Sequence, residues 1–121
     1  MKTYSTIIAG SRTVERIELV ERAIELSGFR ITEVVSGCAA GADLFGETWA
    51  KAHMIPIRRF PADWRKNGRA AGPMRNEQMA RAADQLIAVW DGVSRGTQDM
   101  IGRARHHGLV VYVYDYSKVL F

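Results

Sequence analysis

Sulfur chemistry is nearly missing from this chain: one cysteine, Cys38, stands among 121 residues, so no internal disulfide can form and a reducing compartment is indicated. Prolines number only three, which leaves long stretches free to form regular structure. No apolar run approaches the roughly 18 residues that a membrane span needs. The opening Met1-Lys2-Thr3-Tyr4 leads into a strand without the apolar core of a signal peptide, so a cytoplasmic protein with no membrane partner is predicted. Paired cysteines and an HExxH pattern are lacking, carboxylates do not cluster in sequence, and His53, His106 and His107 fall at predicted helix ends. No resident metal is expected, and any magnesium would come with the phosphates of a nucleotide. A GxxxxGK[ST] loop and a GxGxxG after the first strand are also missing, which disfavours an ATPase and an ordinary dehydrogenase.

What is there is enough for one globular domain over residues 1–121, with 47% hydrophobic and 25% charged residues and three tryptophans for bulk. Charge is divided unevenly. Residues 1–50 carry five basic and seven acidic groups, a net of −2, whereas residues 51–121 carry twelve and six, a net of +6. Arg58, Arg59, Arg65, Lys66, Arg69 and Arg75 are opposed locally only by Asp63, a balance that favours an anionic partner such as a nucleotide or a nucleic acid. A solvated basic face explains Arg58, Arg59 and Arg65 equally well, so Arg69 and Arg75 are the better ligand candidates.

Apolar periodicity alternates between strand and helix along the chain. Strands are predicted at Tyr4–Ala9, Ile31–Val35, Ile55–Phe60, Gln85–Trp90 and Leu109–Tyr114, and helices at Thr13–Leu26, Gly41–His53, Pro73–Ala83 and Thr97–His107. Val14, Ile17, Val20 and Ile24 recur at helical spacing in the first helix, and Gly28 can stop it. Pro61–Gly72 reads as a long polar loop, of the kind that is often functional. The continuous apolar runs Leu86–Trp90 and Val110–Val113 predict burial on both faces, as in a parallel sheet covered by helices. The fold class is therefore α/β: a three-layer Rossmann-like domain with a five-stranded, mostly parallel sheet in the order 3-2-1-4-5 and helices on both faces.

That order brings three loops to one crevice at the carboxyl ends of the strands. They are Gly10-Ser11-Arg12, Ser36-Gly37-Cys38-Ala39-Ala40-Gly41-Ala42-Asp43, and Asp91-Gly92-Val93-Ser94-Arg95-Gly96-Thr97. Glycines at a helix start let backbone N–H groups approach a phosphate, and the helix end adds partial positive charge. Predicted ligand contacts are Gly10, Ser11, Arg12, Ser36, Gly37, Gly41, Ala42, Asp43, Asp91, Ser94, Arg95, Gly96 and Thr97, joined by Arg69, Gly72, Arg75 and Asn76 from the basic segment. Arg12 offers a planar donor fork or a salt bridge across the sheet end, Asp43 suits ribose hydroxyls or a helix first turn, and Ser94 or Thr97 suits phosphate or a helix cap. Trp64 either stacks on a base or anchors its own loop. Cys38 reads as a small buried residue rather than a reactive thiol.

Several segments together resemble a known family over nearly the whole chain. They are Ile8–Arg12, Val35–Asp43, Phe60-Pro61-Ala62-Asp63-Trp64, Gly68–Asn76 and Trp90–Thr97, and the resemblance is to the SLOG superfamily, the Rossmann-like group holding the LOG phosphoribohydrolases and DprA, and within it to the small YspA-like, cpYpsA-related branch. It implies a protein that binds nucleotides or nucleotide-derived ligands as a sensor, carrier or sequestering domain. It also implies a homodimer or larger assembly, for which the apolar tail Val119-Leu120-Phe121 is suited. In LOG-type enzymes an arginine and an acid after a Gly-Thr turn split a nucleotide N-glycosidic bond, and Arg75 and Asp99 match those positions, with aspartate in place of glutamate. The chemistry is consistent with such a pair, since a carboxylate and a guanidinium each stabilise one side of the charge that develops as a ribosyl bond breaks. Three functions follow for testing: nucleotide binding, LOG-like hydrolysis through Arg75 and Asp99, and single-stranded nucleic-acid binding. Only Phe60 and Trp64 interleave with the arginines, a poor stacking platform for the last of these.

Overall fold

A computed structural model of the protein describes residues Lys2–Lys118. The tail Val119-Leu120-Phe121 lies outside the described residues. Five strands, β1 (Ser5–Gly10), β2 (Glu33–Ser36), β3 (Ile57–Arg59), β4 (Gln85–Trp90) and β5 (Val110–Asp115), form one sheet in the order β3-β2-β1-β4-β5. Every pairing is parallel, with Ile7 opposite Val35 on one side and Leu86 on the other. The predicted α/β order 3-2-1-4-5 is the order observed.

The alternation of side chains along β1 and β4 divides the core in two. Ile7, Ala9, Leu86 and Ala88 point to the face covered by α4 (Ala71–Ala82) and α5 (Arg95–His106), where Met79, Met100 and Ala104 meet them. Ile8, Ile87 and Val89 point to the face covered by α1 (Ile17–Ser27) and α2 (Ala42–Ala52), where Val20, Ile24 and Ala50 meet them. Central strands buried on both faces need the continuous apolar sequence that β4 has. The edge strand β5 is only half-buried, and Val110 is 60% exposed, because nothing flanks it on its outer side among the described residues.

Besides the half-exposed β5, which its sequence predicts to be buried on both faces, and shifts of one or two residues at other element ends, two local features differ from the sequence expectation. Residues Pro61–Gly72 are not a plain loop: Asp63 accepts the Lys66 N–H at 3.1 Å and caps a short α3 (Trp64–Asn67), a 3-10 turn follows at Gly68–Ala70, and α4 begins at Ala71, with Pro73 in its first turn. At the other end, α1 starts at Ile17 rather than Thr13, because Val14 closes a turn onto the Ser11 carbonyl at 3.3 Å and reaches the core from outside the helix.

Candidate functional site

β1 ends in a crowded crossing. A Cβ on Gly10 would overlap the Val89 carbonyl oxygen and come within 2.8 Å of the Ala42 side chain, so only glycine lets β1, β4 and α2 approach this closely. Ser11, also buried, donates its N–H to Val89 O at 3.0 Å and accepts the Asp91 N–H on its hydroxyl at 3.1 Å, tying the ends of β1 and β4 together. The loop after β2 turns sharply through Cys38 at φ 63° and Gly41 at φ 79°. Ser36 holds its start, giving its hydroxyl proton to Glu47 at 2.7 Å and accepting the Cys38 N–H at 3.1 Å. Burial pushes the Glu47 carboxyl up, but the Ser36 hydroxyl and the Arg59 guanidinium at 2.9 Å outweigh it and keep Glu47 below its ordinary range.

Asp43 sits at the floor of this turn, 4% exposed, and accepts the Ala39 N–H at 3.2 Å. Burial drives its pKa up to about 6 against the opposing pull of Arg75, the Ala39 and Gly10 N–H groups, and Arg12. Arg75 faces it from α4, and burial lowers the arginine's own pKa. The guanidinium donates from Nη1 to the Gly37 carbonyl and from Nε to Asn76 Oδ1 at 2.9 Å.

The third loop is an Asx turn. Asp91 Oδ1 accepts the Val93 and Ser94 N–H groups at 2.9 and 2.7 Å, and Oδ2 accepts the Ser94 hydroxyl at 2.7 Å. Burial works against this carboxylate's charge, yet these donors hold its pKa down to about 2. Its effect is to start α5 where the chain needs it. The first helical bond runs from Gln98 N–H to Ser94 O at 3.1 Å, so the amides of Arg95, Gly96 and Thr97 precede it as the helix's orphan donors.

Between these elements lies a cleft of about 640 Å³, within the usual range for small-molecule sites. Its wall brings together twelve of the predicted residues: Gly10, Ser11, Arg12 and Asp43 from the first two loops, Gly72, Arg75 and Asn76 from α4, and Ser94, Arg95, Gly96, Thr97 and Asp99 from α5. Six others stand back from it. Ser36 faces Glu47, Gly37 lends its carbonyl to Arg75, Gly41 presses on the Ser11 and Arg12 backbone, Ala42 is buried beneath Gly10, Asp91 shapes the turn, and Arg69 lies exposed on the 3-10 turn. Arg58 and Arg59 pair with Glu33 at 3.2 Å and Glu47 at 2.9 Å.

Trp64 lines the cleft while 49% exposed, with the Arg12 guanidinium 5.5 Å from its ring centroid, and Gly72 leaves room for the ring's far edge. Sequence reasoning missed Ala9, Thr13, Ala39, Pro73, Met79 and Met100, which also line it. Met79 and Met100 follow helical spacing and are core residues, 1% exposed, and only the three-dimensional arrangement shows that the same side chains floor a cleft. Asp99 is on the wall but does not pair with Arg75. It accepts from Arg103 Nε at 2.9 Å and from Asn76 Nδ2 at 3.0 Å. Among the described residues no group of three or more His, Cys, Asp or Glu side chains is arranged to hold a metal ion, and no helix is long and apolar enough to cross a membrane.

The model of the YspA, cpYpsA-related SLOG family matches residues 5–67, from β1 to the end of α3. The chain belongs to this family. A second likeness is one of fold: DNA processing protein A (DprA) from Streptococcus pneumoniae superposes with a TM-score of 0.71 over 92% of this chain at 17% identity, and the chain spans 50% of the length of that protein chain. In sequence, the Gene 61 protein of Mycobacterium phage D29 is 36% identical over 84 residues, which cover 64% of this chain and 67% of that protein. The SLOG family match takes in the first two loops of the cleft and Trp64, while Arg75, Asn76 and all of α5 lie beyond it.

Proposed function

We propose that the cleft binds a nucleotide or a nucleotide-derived ligand, in the role of a sensor, carrier or sequestering domain. The observation that carries this reading is that the amino end of α5, the Arg75 and Arg12 guanidiniums and the Trp64 ring border one cleft of about 640 Å³. Free amides at a helix start and guanidinium forks suit phosphate, and a half-exposed tryptophan suits a base. SLOG membership and the DprA-like fold fit a nucleotide-related or nucleic-acid-related role. Any magnesium would arrive on the ligand's phosphates.

LOG-like hydrolysis is the competing reading, since Asp99 and Arg75 share the cleft. It asks Asp99 to face a ribose while one of its oxygens already takes both Arg103 and Asn76. One experiment separates the readings: saturation-transfer NMR of the protein with AMP, ADP, cyclic AMP and NAD, followed over hours. Saturation transfer without new resonances, weakened at least tenfold by Arg75→Ala, is the expected result. Free base released by the wild type and not by Asp99→Ala would replace binding with hydrolysis. Silence with every nucleotide, together with salt-sensitive retention of a single-stranded oligonucleotide, would move the function to nucleic acid.

A further inference from the structure

A continuous polar ladder runs along the seam between α4 and α5 and ends on the cleft arginine. His107 and Arg81 meet Glu77 Oε2, each at 2.8 Å, and Arg103 Nη1 meets Glu77 Oε1 at 3.2 Å. Arg103 Nε continues to Asp99 Oδ2 at 2.9 Å, the same oxygen accepts Asn76 Nδ2 at 3.0 Å, and Asn76 Oδ1 accepts Arg75 Nε at 2.9 Å. Arg103–Glu77 and Asn76–Asp99 join the two helices, while Arg81–Glu77 and Arg75–Asn76 run within α4 and Arg103–Asp99 within α5. Every link joins groups of opposite hydrogen-bonding character.

Asn76 is the joint at which the ladder turns into the cleft. It is 5% exposed, and its amide is polarised by its surroundings. Two acceptors, Asp99 Oδ2 and the Gly96 carbonyl at 3.3 Å, stand on the Nδ2 side, and a donor, Arg75 Nε, stands on the Oδ1 side. The reversed amide would set NH₂ against N–H and oxygen against a carboxylate and a carbonyl, so only one orientation satisfies the site. With Nε held by Asn76 and Nη1 by the Gly37 carbonyl, the guanidinium plane is fixed at two points, and no hydrogen bond occupies Nη2 among the described residues. A long, flexible side chain is thereby presented in one pose, the condition under which an arginine fork recognises an anion with the least loss of freedom.

We propose that Asn76 and Asp99 are positioning residues for Arg75: Asp99, anchored by Arg103, sets the orientation of the Asn76 amide, and that amide aims the Arg75 guanidinium into the cleft. This differs from both roles expected from sequence, a ligand contact for Asn76 and a reacting acid for Asp99. It rests on the nucleotide-binding reading only for what Arg75 then grips.

The test has a ligand-free arm and a ligand arm. In ¹⁵N spectra of the free protein, the Arg75 Nε–Hε resonance, assigned by its disappearance in Arg75→Lys, is expected to be protected from solvent exchange. In Asn76→Ala its protection falls at least tenfold, and Asp99→Ala produces a smaller fall in the same resonance, which keeps the test open should the buried Asn76 variant fail to fold. Helix packing alone would leave that one resonance in place, so an unchanged Arg75 signal in every variant that folds overturns the proposal. In the ligand arm, ADP affinity is compared among wild type, Arg75→Ala, Asn76→Ala and the double variant. Asn76→Ala is expected to weaken ADP at least fivefold in the wild type and less than twofold once Arg75 is gone. Additive losses would mean that Asn76 touches the ligand itself, and would overturn the assignment. If ADP binds none of them, wild type included, the nucleotide reading loses its support while the Arg75 resonance still decides the positioning role.

Discussion

On the side of the cleft built by β1, β2 and α2, side chains are small and the backbone is packed against backbone; on the side built by α4 and α5, long polar side chains meet in a ladder. The first wall gets its shape from Gly10, Gly41 and Ala42 at a crossing where an added methyl has nowhere to go. Within it lies Asp43, a buried acid whose ionisation the surroundings resist. The second wall spends its residues on Glu77, Asp99, Arg103 and Asn76, whose partners fix orientation rather than fill space. Shape on one side and aim on the other are separable physical tasks, and they respond differently to substitution.

The largest effect belongs to the backbone-packed wall. Gly10→Ala would drive a methyl into the Val89 carbonyl and the Ala42 side chain, and neither is the movable end of a flexible group. Overpacking of a tight interior costs about 1–3 kcal/mol, and a clash with backbone belongs at or above the top of that range. The denaturation midpoint in urea is the measurement. A loss of at least about 3 kcal/mol is expected, and a variant as stable as wild type would show that the crossing can spread apart.

Next comes the acid that this wall encloses. Unfolded, Asp43 titrates near 3.8, whereas in the folded protein its pKa is raised to about 6. The folded state therefore holds the proton more tightly than the unfolded one across that window. Stability contributed by this proton is complete below about pH 4 and is lost as pH rises through 6, amounting to about 3 kcal/mol for a shift of that size. Asp43→Asn removes the titration, so the stability of the variant relative to wild type should climb by about that amount between pH 4 and pH 7. Parallel profiles of urea midpoint against pH would place the acid outside the folding equilibrium and erase this contrast between the walls.

How much of this was legible in the sequence follows the same division. The parallel sheet and its order could be read because β1 and β4 carry the continuous apolar runs Ile7-Ile8-Ala9 and Leu86–Trp90, and the loops after β2 and β4 carry glycine at helix starts. The short α3 was hidden because four residues, Trp64–Asn67, span about one turn and show no apolar period. Arg75, Asp99 and Asn76 were legible as residues belonging near one another, but their pairing was not. Asn76 and Asp99 lie 23 residues apart and Glu77 and Arg103 26, and no local rule tells an acid on one helix which cation on the next it will meet. Arg58 and Arg59 were ambiguous for the same reason, and Glu33 and Glu47, which pair with them, belong to other elements.

The smallest effect lies at the far end of the ladder. Arg81 is 71% exposed and reaches Glu77 across a single helical turn, at 2.8 Å. Exposed pairs of this spacing contribute about 0.3–0.5 kcal/mol, because both side chains surrender freedom to form a bond that water already supplies. Glu77 also keeps His107 and Arg103 as partners when Arg81 is removed. Arg81→Ala should therefore shift the urea midpoint by no more than about 0.5 kcal/mol, and should leave the Arg75 Nε–Hε resonance where it is. A change in that resonance from so distant a substitution would show that the whole seam, rather than its Asp99–Asn76 end, sets the aim of the cleft arginine.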